Sequence, residues 1–222
     1  MKKRFIAFLL CLVMIAALVS TASAADMKTA GKVISYSGYA YLQRGGEDGI
    51  QLKLYNNAAI MDGDLLIAPL NAFAMFYLCN NTMISLEPGS AATVMFIDDS
   101  VLVELHDGSL TVMTLRSTGT PVYAFLDGNI VSGNAGSIYY MAKENVNSAI
   151  AAGRGTVMVT NFFGEDDAEF NLPPGYFIAG NSTTGWSDPE ISTGTLLTAI
   201  NRSVRFLDNY IKNMNEIAVT VY

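Results

Sequence analysis

Between residues 31 and 179 the chain alternates short apolar runs with Gly, Asn and Asp. IQLKL (50–54) sets Ile50, Leu52 and Leu54 on one side and Gln51 and Lys53 on the other, and SVLVEL (100–105) aligns Val101, Val103 and Leu105. A period of two is strand geometry, because successive side chains of an extended backbone point to opposite faces. NAFAMFYL (71–78) and GSIYYMA (136–142) are apolar on both faces, which predicts strands buried between two layers. Asp-Gly recurs at 48–49, 62–63, 107–108 and 127–128, each copy followed by an aliphatic residue. This dipeptide tolerates the positive φ of tight hairpins, so the pattern predicts an all-β body of many short strands. Alternation alone leaves a sandwich and a β-helix both open.

The period changes near the C-terminus. Pro, Ser, Thr, Gly and acids collect in 162–177 and again in 181–194, the second stretch reading as a linker. A helix is then predicted over 195–216, with 217–222 as a tail. Its apolar residues Leu197, Ile200, Val204, Leu207, Ile211 and Met214 are spaced 3, 4, 3, 4, 3, a narrow seam suited to docking or assembly. Thr193 or Thr195 is placed to cap its start.

At the other end, Lys2, Lys3 and Arg4 precede an apolar run from Phe5 to Val19 and small residues at Ala22 and Ala24. The run is shorter than the roughly 20 residues of a spanning helix, so residues 1–24 read as a secretory signal cleaved after Ala24. Cys11 leaves with it. The β domain then covers 25–180, and no second apolar span follows. Ten basic residues remain against twenty acidic ones, which disfavours nucleic acid as a partner. Cys79 alone remains, so no internal disulfide is available in an oxidising compartment, and its setting in FYLCNN reads as a small buried thiol.

The polar residues carry little chemistry. Asp62 and Asp64 form a D-x-D of the kind that holds divalent cations, but the central Gly and the sister Asp-Gly turns favour turn chemistry. Glu165, Asp166 and Asp167 lack the ligand spacing of a calcium loop, and the GRG at 153–155 lacks the Lys-Ser/Thr of a phosphate loop. His106 is the only histidine; paired with Cys79 and an acid it makes a remote hydrolase alternative. Trp186, with Tyr36, Tyr39 and Tyr41 near the start of the β body, makes a second alternative, a carbohydrate-binding module. No cofactor or metal is expected.

IMDGDLLIAPLNAFAMFYLCNNTMISLEPGSAATV, then VLVELHDGSLTV, then GRGTVMVTN and LPPGYFIA, together resemble the FecR domain over about residues 31–180. The family's succession is a G-D-x-[LI] turn, a strand of small and apolar residues, an [IL]-x-L-x-P-x-S element, an L-x-x-G-x-[LV] strand and a late G-T-x-V strand. The resemblance implies a two-sheet, sandwich or jelly-roll-like β domain lying outside the cytoplasm. In that family such domains relay iron-siderophore signals to a sigma factor held by a cytoplasmic segment. Here only Lys2, Lys3 and Arg4 precede the apolar run, so no such segment is expected. The expectation is a secreted, non-catalytic domain in the periplasm or at the cell surface. Its expected partner is a protein or cell-envelope polymer, and its helix is a possible route to a homo-oligomer.

Overall fold

The computed structural model describes residues 28–46, 48–161, 169–181 and 183–220, with side chains described as far as residue 213. The expected signal, Cys11, the Glu165–Asp167 acids and the side chain of Met214 lie outside the described residues. The first strands are β1 (Thr29–Ser37), β2 (Tyr41–Arg44), β3 (Ile50–Lys53), β4 (Ala59–Met61), β5 (Asp64–Ala68) and β6 (Phe73–Leu78). Next come β7 (Thr82–Leu86), β8 (Ser90–Ile97), β9 (Ser100–Thr114), β10 (Val122–Leu126), β11 (Asn129–Gly133) and β12 (Ile138–Glu144). β13 (Asn147–Arg154), β14 (Val157–Asn161), β15 (Glu169–Leu172), β16 (Tyr176–Asn181), β17 (Gly185–Trp186) and β18 (Glu190–Ile191) complete the body, and α1 (Gly194–Thr220) follows.

All the strands belong to one hydrogen-bonded network that folds into two layers. The layer under the helix runs β4-β1-β6-β7-β9-β12-β13-β16, with β17 and β18 on the edge of β16. The far layer runs β3-β2-β5-β8-β9-β10-β11-β14-β15. β9 belongs to both. Its 15 residues exceed the usual 3–10 of a strand. Residues 100–107 pair with β8 and 110–114 pair with β7, so the strand changes layer at Asp107-Gly108. The fold is therefore the expected two-layer all-β body with one C-terminal helix, joined through a shared strand and not closed as a barrel.

The alternation seen in the sequence sets the core between the layers. Val33, Phe76, Ile84 and Leu110 from the helix-side sheet cluster with Leu66, Val94, Val103 and Val131 from the far sheet. Tyr139 on β12 is fully buried, and its hydroxyl donates to the Val131 carbonyl of the other layer at 3.3 Å. β7 is buried at every position, because its outer side lies beneath the helix.

Three local features are not set by the sequence pattern alone. Ile50 and Leu52 are 71% and 40% exposed, and only Leu54 of that alternating set is buried, because among the described residues β3 is an edge strand hydrogen-bonded to β2 alone. Of the four Asp-Gly copies, Asp127-Gly128 is a two-residue hairpin, both residues having positive φ (43° and 87°) as a type I′ turn requires. Asp107-Gly108 instead marks the bend in β9. The expected linker, 181–194, is not free coil: β17 and β18 within it pair with β16.

Candidate functional site

The helix begins where Thr193, just outside it, accepts a backbone hydrogen bond from Leu197 N. From there α1 lies over β12 and β13 on the outer side of the helix-side sheet. It covers a second apolar cluster, separate from the main core and rich in methionine: Met75, Met83, Met113 and Ile138 from the sheet with Leu207 from the helix. Unbranched thioether side chains fill the irregular gap between a helix and a pleated surface well. Gly153 of β13 makes room for the close approach, since a Cβ there would lie 2.9 Å from Ile200 Cγ2 and 3.0 Å from Val204 Cγ2.

Polar and aromatic contacts fix the helix along its length. Arg154 Nη1 donates to Asp208 Oδ1 at 2.8 Å, and the Tyr210 hydroxyl donates to the Ile34 carbonyl at 3.3 Å. Phe206 meets Phe73 edge to face, with ring centroids 5.8 Å apart. Of the predicted seam, Ile200 and Leu207 are buried in this intramolecular packing, and Val204 and Ile211 are partly buried there. Leu197 is 38% exposed and off the contact. The buried face also includes Ser203 and Tyr210, which the seam omitted, because a helix on a sheet buries a wider stripe than a coiled-coil edge.

Beside this contact the helix and the β7–β8 turn leave a groove of about 200 Å³. Its walls are Phe73, Phe206 and Pro88, its polar groups Ser85 and Ser203, and its charged pair Glu87 and Arg202. Burial pushes the Glu87 carboxyl up from its ordinary range, and Arg202 pulls it partly back from 3.9 Å. The buried hydroxyl of Ser203 has no hydrogen-bond partner among the described residues, nor has that of Thr111, which sits opposite Ser85 in the β7–β9 ladder. A buried polar atom without a partner is a standing cost that a bound group can relieve.

The other predicted polar residues go elsewhere. Asp64 is fully buried and accepts from Arg44 Nε and Nη2 at 2.8 and 2.7 Å and from Met61 N at 2.8 Å, while Asp62 accepts from Phe96 N at 2.8 Å. The D-x-D pair thus anchors turns and strands. Cys79 sits in the β6–β7 turn, and burial pushes its thiol up. His106 lies before the bend in β9, in the half that pairs with β8, whereas Thr114, the partner of Thr82 beside that turn, is eight residues on in the half that pairs with β7. The structure does not bring the hydrolase pair together. His106 instead meets Thr93 Oγ1 at 2.6 Å. Trp186 packs half-buried against the main core, with its indole nitrogen covered, rather than standing out as a platform. A wider cleft of about 390 Å³ beside Asp127 has its charge already satisfied, Lys143 Nζ donating at 2.6 Å and Ser148 Oγ donating to the other oxygen.

No family model and no curated protein matches the chain. Among solved structures, two crystal structures of a "putative anti-sigma factor" from Parabacteroides distasonis ATCC 8503 are similar to it at 18% identity, each with a TM-score of 0.49. The match covers 61% of this chain and 63% or 62% of theirs, so it spans less than two thirds of those proteins. Among the described residues no helix is long and apolar enough to cross a membrane.

Proposed function

We propose that this chain is a non-catalytic, extracytoplasmic binding domain of FecR type, acting in sensing or surface assembly. Its working surface is the outer side of the helix-side sheet with α1 docked across it. The observation that carries the reading is the groove itself, where apolar walls, a poorly paired carboxylate and a buried unpaired hydroxyl meet at the junction of helix and sheet. Concave, mostly apolar surfaces with a few converging polar groups are the usual form of a binding site. Binding is favoured over catalysis because a serine nucleophile needs a base within hydrogen-bond reach, and Ser203 Oγ has none among the described residues. The expected occupant is part of a protein or cell-envelope partner.

Affinity capture from the native cell envelope tests this. The intact protein should retain a partner that Phe206→Ser loses, whereas Ile50→Ser, at the edge of the opposite layer, should keep it. Recovery of the same partner by Phe206→Ser at wild-type level removes the groove from the reading.

A further inference from the structure

The groove holds a mostly buried carboxylate whose pairing bears on the sign of its ligand. The Glu87 side chain is 19% exposed, and among the described residues its one charged partner is Arg202 at 3.9 Å, with no hydrogen bond between them. Arg202 is itself 72% exposed, and an ion pair that loose gains little in water while restraining a long side chain. A largely buried carboxylate that accepts no hydrogen bond still lacks the donors that would compensate its lost water. Ser203 Oγ, on a residue 3% exposed, adds a hydroxyl with no partner of its own, able to accept or to donate. The groove therefore offers one carboxylate without a hydrogen-bonded donor and hydroxyls that can accept or donate, while its cation, Arg202, stands mostly in solvent.

An ammonium group has the complementary inventory: three donors, no acceptor and a positive charge. Phe73 and Phe206 line the same space, and aromatic rings attract cations while accommodating an aliphatic stem. A carboxylate ligand would meet Glu87 with like charge. At about 200 Å³ the space falls below the roughly 300–1,000 Å³ of small-molecule pockets, which fits one side chain rather than a whole metabolite. The formal charge of −7 on the chain adds a long-range attraction for basic partners.

We infer that the groove receives a lysine side chain of a partner protein, its ammonium on Glu87 and Ser203 and its stem between Phe73 and Phe206. Arg202 then acts as a placeholder that swings out when the lysine enters. The inference rests on the binding-domain reading above and names the chemistry of that same site.

The test is a titration of the full chain, followed by NMR or calorimetry, with n-butylammonium as the lysine side-chain analogue and with a capped Gly-Lys-Gly peptide. n-Butanol and butyrate serve as neutral and anionic controls. Both cations should bind, and Glu87→Gln should weaken them about tenfold, the scale of one hydrogen bond to a charged group. Arg202→Gln, at an exposed position that leaves folding intact, should tighten them about threefold by removing the competitor. Butyrate binding as well as n-butylammonium, or Glu87→Gln without effect, overturns the inference. Binding of n-butylammonium without binding of the peptide overturns the protein lysine as occupant and assigns the groove to free amines. If no cation binds while envelope capture still depends on Phe206, the lysine inference falls and the broader reading stands.

Discussion

Two carboxylates show how differently this molecule treats buried charge. Asp64 has no solvent exposure, yet both its oxygens are met by the Arg44 guanidinium, and Met61 N adds a third donor. Removing one partner of such a pair strands the other, so Asp64→Ala should cost about 3 kcal/mol, the low end for a buried pair because Arg44 keeps 26% of its side chain in water. The measurement is the urea midpoint at unchanged slope, and a loss under about 1 kcal/mol would rank the pair with ordinary surface bridges. Glu87 has no such compensation. Burial raises its proton affinity in the folded state above the ordinary value of 4.5, so its contribution to stability is complete below that pH and is lost as pH rises through the raised value. Glu87→Gln cannot ionise. Its melting temperature should gain on the wild type from about pH 4.5 upward and level off towards neutrality; a constant difference across that window would show that Glu87 ionises as freely as in the unfolded chain. The sequence allowed Asp64 to be read as structural, since D-G-D looks like a turn. It did not show why: Arg44 lies twenty residues away, and only the β2–β5 pairing brings the two together.

At the level of elements, alternation shows which segments are strands but not which of them lie inside a sheet. Period-two alternation identifies a strand, but burial depends on how many neighbours it acquires, so Ile50 and Leu52 share a face in the pattern with buried Leu54 and are yet exposed on edge strand β3. The bend in β9 was hidden for a related reason, since His-Asp-Gly looks like a chain reversal and here only redirects a continuing strand between layers. The helix was legible as an element and its seam only in part. Heptad spacing named Ile200, Val204, Leu207 and Ile211 correctly as helix residues with a shared side, while Gly153, which admits two of them, lies in GRG, a stretch that reads as a failed phosphate loop. Gly153→Ala tests that fit. Alanine should help a strand by about 0.5–1 kcal/mol relative to glycine, but overpacking against Ile200 and Val204 should cost about 1–3 kcal/mol, so the contact term wins. Net destabilisation with faster proteolysis in 187–193, just ahead of the helix, is the expected result. A stabilised variant with unchanged proteolysis would mean the helix slides to accept the methyl group at no cost.

For the molecule as a whole, the two clusters divide the work of folding. The main core draws on both layers and includes none of the described side chains of α1, whereas the methionine-rich cluster exists only while α1 covers the helix-side sheet. Deleting 194–222 therefore removes no side chain from the main core and uncovers Met75, Met83, Met113 and Ile138. An uncovered patch of that kind invites self-association. The single tryptophan reports on this division, because Trp186 packs against the main core and precedes the deleted residues. The shortened protein should keep the β-type circular dichroism and Trp186 emission of the full chain, bind a hydrophobic dye and form oligomers that the full chain does not. Hydrogen exchange on the intact protein should agree, with amides of 200–211 opening at lower free energy than those of 101–105 in β9, since a local opening needs to break only the smaller cluster. Loss of the β signal and of native Trp186 emission on deletion would instead make helix and sandwich one cooperative unit. In that case α1 would be a structural brace, and a groove that needs the helix in place would be as rigid as the sheets beneath it.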